Sequence, residues 1–108
     1  MAACEGQNEV VKILLDSGAD INRASRNLRT PLWHSAGCNQ KDVVKTLIDR
    51  GADLNKADKY GWTPLHNAVM CQRNKIIKLL IDRGADPDRK DSKGRTPQKL
   101  AELGIIYV

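Results

Sequence analysis

Residues 63–69 read TPLHNAV, and residues 76–86 read IIKLLIDRGAD. Thr63 can cap a helix, and Pro64 suits the first helical turn, where its missing N–H costs nothing. A short helix follows through Leu65, Ala68 and Val69, with small residues that let the next unit approach closely. A turn at about Cys71 to Asn74 leads into a second helix carrying Ile76, Ile77, Leu79, Leu80 and Ile81. That apolar face is wide, so it must be covered on more than one side. Gly84 supplies a left-handed helix end. Residues 85–95 are polar and turn-rich and return the chain to another Thr-Pro. One such unit cannot bury its own faces, so units must stack.

The same signals recur along the chain with a period of 33 residues. Thr30-Pro31, Thr63-Pro64 and Thr96-Pro97 share it, as do Gly18-Ala19-Asp20, Gly51-Ala52-Asp53 and Gly84-Ala85-Asp86. Val10-Val11-Lys12, Val43-Val44-Lys45 and Ile76-Ile77-Lys78 keep the same register. Three independent markers on one period define a repeat.

TPLHNAV followed by IIKLLIDRGAD resembles the ankyrin repeat, and the likeness covers nearly the whole chain. It implies an all-α solenoid of stacked antiparallel helix pairs with β-hairpin-like loops, forming a single domain over 1–108. The register divides it into a partial repeat (1–22), two complete repeats (23–55 and 56–88) and a partial C-terminal repeat (89–108). Helices are expected near 31–38, 41–49, 64–71, 74–82 and 97–103. Neither end has the polar cap usual in such arrays, which suggests a piece of a longer protein or an assembly with another chain.

Several positions depart from the family pattern. Gly61 and Gly94 occupy a loop position where the preceding unit has Leu28, so that loop is expected to be strained or differently shaped. His66 matches the motif histidine, which by resemblance bonds the Thr and steadies the turn; Trp33 and Lys99 replace it in the neighbouring units. The turn between helices uses Gly6, then Asn39, then Gln72. Gln tolerates a left-handed backbone poorly, so the third unit is expected to be looser there.

Composition limits the function. The chain has 108 residues, a net charge of +5, 41% hydrophobic residues and no Phe. No apolar run approaches a membrane span, and MAACEGQNEV does not read as a signal peptide. The three cysteines lack CxxC spacing, which favours free thiols in a reducing, intracellular compartment (cytoplasm or nucleus). Cys38 and Cys71 are equivalent residues one repeat apart. Stacked helices lie about 8–10 Å apart, beyond the ~7 Å Cα separation that a disulfide spans. No metal ligand set or cofactor site is expected. HExxH, GxSxG and a phosphate-cradling Gly-rich loop are all missing, so no enzyme is expected. Asp20, Asp53 and Asp86 read as turn formers. Asn22 and Asn55 each lie eight residues after a Leu, like the substrates of an asparagine hydroxylase, but local turn bonding is the simpler role.

The charge is unevenly placed. Segments 21–30, 54–63 and 87–96 hold Arg23, Arg26, Arg29, Lys56, Lys59, Arg89, Lys90, Lys93 and Arg95. Against these nine stand Asp58, Asp88 and Asp91, a net +6, which leaves −1 for the rest of the chain. By resemblance, the loop tips and first helices form a concave binding surface. It maps onto Arg26, Asn27 and Arg29, then Lys59, Tyr60, Trp62, Met70 and Cys71, then Ser92, Lys93 and Arg95. Tyr60 and Trp62 are two of only four aromatic residues among Phe, Trp and Tyr, and aromatics beside Arg make binding hot spots. Packing of Trp62 on a neighbouring loop is the alternative role. These features point to a protein–protein interaction module for a partner with an acidic surface or peptide. Nucleic-acid or anionic-lipid binding fits less well, because the charge is dispersed and no nucleic-acid motif accompanies it. A structural spacer within a larger protein is a third reading.

Val10, Ile13 and Leu14 at the start, and Ile105, Ile106 and Val108 at the finish, lack a covering unit. The expected outcome is concentration-dependent self-association in sedimentation velocity, or fraying of the terminal helices in amide exchange, since buried apolar surface is worth about 25 cal/mol per Å².

Overall fold

The computed structural model describes residues 18, 21–24 and 26–103, with the backbone alone for Arg26. Among the described residues, five helices follow a short 3-10 turn at Arg26–Leu28: α1 (Pro31–Gly37), α2 (Lys41–Asp49), α3 (Pro64–Met70), α4 (Asn74–Asp82) and α5 (Pro97–Glu102). Among the described residues there is no strand. The expected ends at 38, 71 and 103 are the capping residues of α1, α3 and α5.

Local chemistry explains the helix starts. Thr30, Thr63 and Thr96 are extended, and each hydroxyl accepts the N–H of the residue three positions on, with Pro at the first helical turn. α2 and α4 have no side-chain cap. They follow tight turns through Asn39 and Gln72, both left-handed, with φ of 60° and 58°. The turn at Gln72 is closed at least as well as that at Asn39. Arg73 N–H reaches Ala68 O at 2.9 Å, against 3.2 Å from Gln40 N–H to Ser35 O. Arg73 Nε also donates to Gly37 O of the preceding unit at 2.9 Å, a tie from outside the turn that offsets the poor intrinsic fit of Gln72.

The helices stack as the period requires. α1 packs on α2 and α3, α3 packs on α4 and α5, and α2 packs on α4. Their shared core contains Leu32 and Ala36, Val43, Val44 and Leu47, Leu65 and Ala68, then Ile76 and Leu80. Close packing of α1 on α3 depends on Gly37. A Cβ there would collide with the Asn67 amide, which donates to Trp33 O at 2.8 Å.

A second line of contacts joins the units near the end of each helix pair. Asn22 Oδ1 accepts Asp53 N–H, and Asn55 Oδ1 accepts Asp86 N–H, both at 2.8 Å. These asparagines bridge successive units, a role that the sequence reading, which assigned them local turn bonds, did not include. The local turn bonds belong to the aspartates, as expected: Asp53 Oδ1 accepts Asn55 N–H, and Asp86 Oδ1 accepts Asp88 N–H. Asp20 lies outside the described residues, as do the apolar end residues.

The cysteines require a correction. Cys71 is free, but Cys38 is disulfide-bonded, with its partner outside the described residues. The spacing argument excluded only a bridge between equivalent positions of adjacent units. The compartment inferred from free thiols loses that support.

Leu28 behaves as its position implies. Gly61 and Gly94 have φ of 80° and 76°, and Leu28 is held at 63° with Asn27 at 67°. A non-glycine residue there costs about 1–3 kcal/mol, while glycine costs about 0.5–1 kcal/mol in unfolded-chain entropy. Leu28→Gly is therefore expected to raise stability by about 1 kcal/mol in urea denaturation. Leu80→Ala is expected to lower it by roughly 2–5 kcal/mol through a core cavity.

Candidate protein-binding groove at the loop tips

Each complete loop tip is built around a buried aspartate. Asp58 and Asp91 are both 6% exposed. Asp58 Oδ1 accepts the backbone N–H groups of Tyr60 and Trp62 at 2.8 and 2.9 Å. Asp91 Oδ1 accepts those of Lys93 and Arg95, both at 2.9 Å. Gly61 and Gly94 then turn the chain, with N–H groups bonded to Asp58 O and Asp91 O. Gly61 has a second reason to lack a side chain: a Cβ would sit 2.7 Å from Ser92 N of the next tip.

The second oxygen of each aspartate faces the preceding unit. Arg29 Nε donates to Asp58 Oδ2 at 3.4 Å, and Trp62 Nε1 donates to Asp91 Oδ2 at 3.0 Å. Arg29 and Trp62 are equivalent positions one repeat apart. Each also covers the ring below it. The Arg29 guanidinium lies 4.2 Å from the Trp33 centroid, and Trp62 stacks on His66 with planes 13° apart. Arg95, the third member of the series, turns back to its own Asp91 at 2.9 Å. Backbone bonds join the tips as well: Lys59 N–H to Asn27 O at 2.8 Å, and Ser92 N–H to Tyr60 O at 2.9 Å.

His66 ties this layer to the helices. Its Nδ1 accepts Thr63 N–H at 3.1 Å, completing a reciprocal cap, and its Nε2 lies 2.9 Å from Arg95 O. With Nδ1 accepting, the proton sits on Nε2 and donates to that carbonyl. The motif role expected of His66 is thus present, and it extends to the next tip. Trp33 forms no such link; its buried indole N–H has no partner.

These environments set the ionisation states. Burial lowers the His66 pKa, and the Arg95 carbonyl, Asp91 and Asp58 pull upward without overcoming it. Burial and the Arg29 charge lower that of His34. Burial alone would raise Asp91, but hydrogen bonds from Arg95, Trp62 and Lys93 outweigh it, and the net shift is downward.

Arg29, Tyr60, Trp62, Ser92, Lys93 and Arg95 line one open groove of roughly 370 Å³ across the tips. Six of the eleven residues singled out from the sequence thus meet. Asn27 and Lys59 lie beside them on the bonded tips, Lys59 Nζ being 5.8 Å from the Tyr60 ring. Tyr60 is 49% exposed. Met70 is only 5% exposed, packed inside the stack and unavailable to a partner. Cys71 is half-buried, with Sγ donating to Asn67 Oδ1 at 3.7 Å, and it does not line the groove. The Arg26 side chain lies outside the described set. Asp58 and Asp91 were counted in the sequence only as negative charges. Their 33-residue spacing, three residues before each tip glycine, was the available signal.

A family model described as ankyrin repeats (3 copies) matches residues 1–91, and the chain belongs to the ankyrin-repeat family. Ankyrin repeats are generally protein–protein interaction modules. No curated protein matches the chain. Among the described residues, no helix is long and apolar enough to cross a membrane.

Two outcomes test the tip layer. Trp62→Phe keeps an aromatic ring but removes the indole N–H and its hydrogen bond to a charged group, and is expected to cost at least about 1.5 kcal/mol in urea denaturation. Acidification is expected to destabilise the fold in two stages. A lowered histidine pKa contributes stability above the ordinary value of 6.5 that is lost as pH falls through the folded value. The lowered Asp91 pKa contributes stability above 3.8 that is lost in the same direction. Denaturation midpoints followed from about pH 8 downward should show the first stage below 6.5, diminished in His66→Gln, and the second beginning below 3.8.

Proposed function

We propose that the chain binds a partner protein in the tip groove, and that the bound segment presents carboxylates beside an apolar side chain. The observation that carries this is the groove lining itself: Arg29, Lys93 and Arg95 surround Tyr60 and Trp62. Asp91 holds Arg95 by Nε, which orients the guanidinium and leaves its terminal nitrogens as a fork suited to carboxylates. Tyr60 supplies exposed aromatic area at low entropic cost. Lys59 and Lys93 are exposed and act over distance, steering an acidic partner into contact.

Trp62 serves this site differently from a free anchor. Its indole N–H is committed to Asp91, so it forms the groove floor while holding two tips together. Arg29 is likewise paired with Asp58, and its reversal to Glu would set two carboxylates side by side. Tyr60, Lys59 and Lys93 are therefore the cleaner probes.

The test is selection of peptides from a random display library on the immobilised chain, followed by titration of the selected sequences. Acidic sequences containing an apolar residue are the expected winners. Tyr60→Ala should weaken their binding by at least ~2 kcal/mol without changing the melting temperature. Lys59→Glu with Lys93→Glu should slow association and flatten its salt dependence. Selection of neutral or basic peptides, or tighter binding to single-stranded DNA than to any peptide, would overturn the reading.

A further inference from the structure

The groove is lined by one serine, Ser92. Among the described serines and threonines, Thr30, Thr63 and Thr96 cap helices, Ser35 Oγ bonds Leu32 O, and Thr46 Oγ1 bonds Asp42 O. Ser92 differs from all of these. It is exposed at the tip of the last described loop, its backbone N–H bonds Tyr60 O, and its side chain lines the groove. The residues before it read Arg89-Lys90-Asp91. Arg89 and Lys90 are exposed, while Asp91 is buried beneath the tip. A kinase approaching from solvent thus meets two cations at the third and second positions before an accessible serine. Charge patterns of this kind are what kinases select.

We propose that Ser92 is a phosphorylation site for a serine/threonine kinase that reads upstream basic residues, and that the phosphate closes the groove to acidic partners. The second half rests on the function proposed above; the first does not. In the transfer, Ser92 Oγ bonds the γ-phosphorus of ATP and the bond from that phosphorus to the β–γ bridging oxygen breaks. ADP leaves, and the hydroxyl proton passes to the kinase's carboxylate base. To enter the kinase, the tip must release the Ser92 N–H to Tyr60 O and Gly94 N–H to Asp91 O bonds, each 2.9 Å, and the Asp91 N–H to Arg95 O bond at 2.8 Å. It must also release the Lys93 and Arg95 N–H groups from Asp91 Oδ1 and the Arg89 guanidinium from Asn55 O. All are donated by the last described loop, so a local opening of that loop, without unfolding of the stack, frees the serine.

The consequence follows from charge. A phosphoserine adds about −1.5 to −2 charges and three strong acceptor oxygens. Placed among Arg29, Lys93 and Arg95, it engages the cations that an acidic partner would use. Ser92 occupies the position held by Arg26 and Lys59 in the preceding tips, so at this position phosphorylation sets an anion where the other two tips carry a cation.

The test uses the full chain, an arginine-directed serine/threonine kinase and magnesium ATP, read by intact mass and fragmentation. One phosphoryl group on Ser92 is expected, none on Ser92→Ala, and a rate at least ~10-fold lower on Arg89→Ala with Lys90→Ala. A short peptide of residues 87–96 serves as the unfolded control. Labelling of the peptide but not of Ser92 in the folded chain overturns the proposal, because the tip then stays closed. Failure to label either overturns it as well. The phosphorylated chain should bind the library-selected acidic peptide at least ~10-fold more weakly than the unmodified chain. Equal binding overturns the regulatory half. If no acidic peptide is selected at all while Ser92 is still labelled, the groove's proposed partner is wrong and the modification site stands.

Discussion

Two buried carboxylates organise the loop layer of this solenoid. An aspartate taken out of water is costly unless its oxygens are satisfied. Asp58 and Asp91 meet that demand by dividing their oxygens between two neighbours. One oxygen gathers two backbone N–H groups of its own tip, and the other accepts a side chain from the unit before. The tip's shape and its attachment to the stack are thus enforced by one residue. The tip at Arg26–Leu28 shows what happens without it. Ser25 takes the aspartate position and Leu28 the glycine position, and the loop becomes a 3-10 turn with two consecutive left-handed residues.

The side chain that reaches forward to the aspartate is also the one that faces the groove. Arg29 and Trp62 each cover a ring on their own first helix and donate to the next tip. Stacking and the groove lining therefore share atoms at this position. Arg and Trp both carry a planar N–H-bearing group that can stack and donate at once, which explains how residues so unlike in charge serve equivalent sites. His66 completes the column by joining the helix cap to Arg95 O, and Trp33, lacking a second nitrogen, leaves its own N–H buried without a partner. Such an orphan costs about 1–3 kcal/mol.

The helices were legible in the sequence because their causes are local. Thr-Pro starts each first helix, apolar spacing marks each second one, and every such signal lies within a few residues of its effect. The left-handed positions at Leu28 and Gln72 were likewise readable from their alignment with glycine or asparagine. The links between units were not. Arg29 to Asp58, Trp62 to Asp91 and His66 to Arg95 each span 29 residues, and Asn22 to Asp53 spans 31. Their partners follow only once the stacking offset is known in three dimensions. Met70 was mapped to the concave surface by resemblance, and only the packed fold shows that it is 5% exposed.

The same offset changes what the positive charge means. Nine basic residues on the loops look like a uniform cationic strip when counted along the chain. In the fold, Arg29 and Arg95 pair with aspartates, and Lys56 and Arg89 donate to the carbonyls of Asn22 and Asn55 one unit back. Arg29, Lys56 and Arg89 join neighbouring units, while Arg95 braces its own tip. Lys59 and Lys93 remain exposed, one beside Tyr60 and the other lining the groove. A strip of mobile lysines alone would attract any anion with little discrimination. Arginines held by buried carboxylates are different, because their forks are already oriented and lose little entropy on binding. In the proposed function, the groove would thus join unselective attraction by its lysines with directed hydrogen bonding by its arginines, and the aspartates that keep the loops folded would supply the direction.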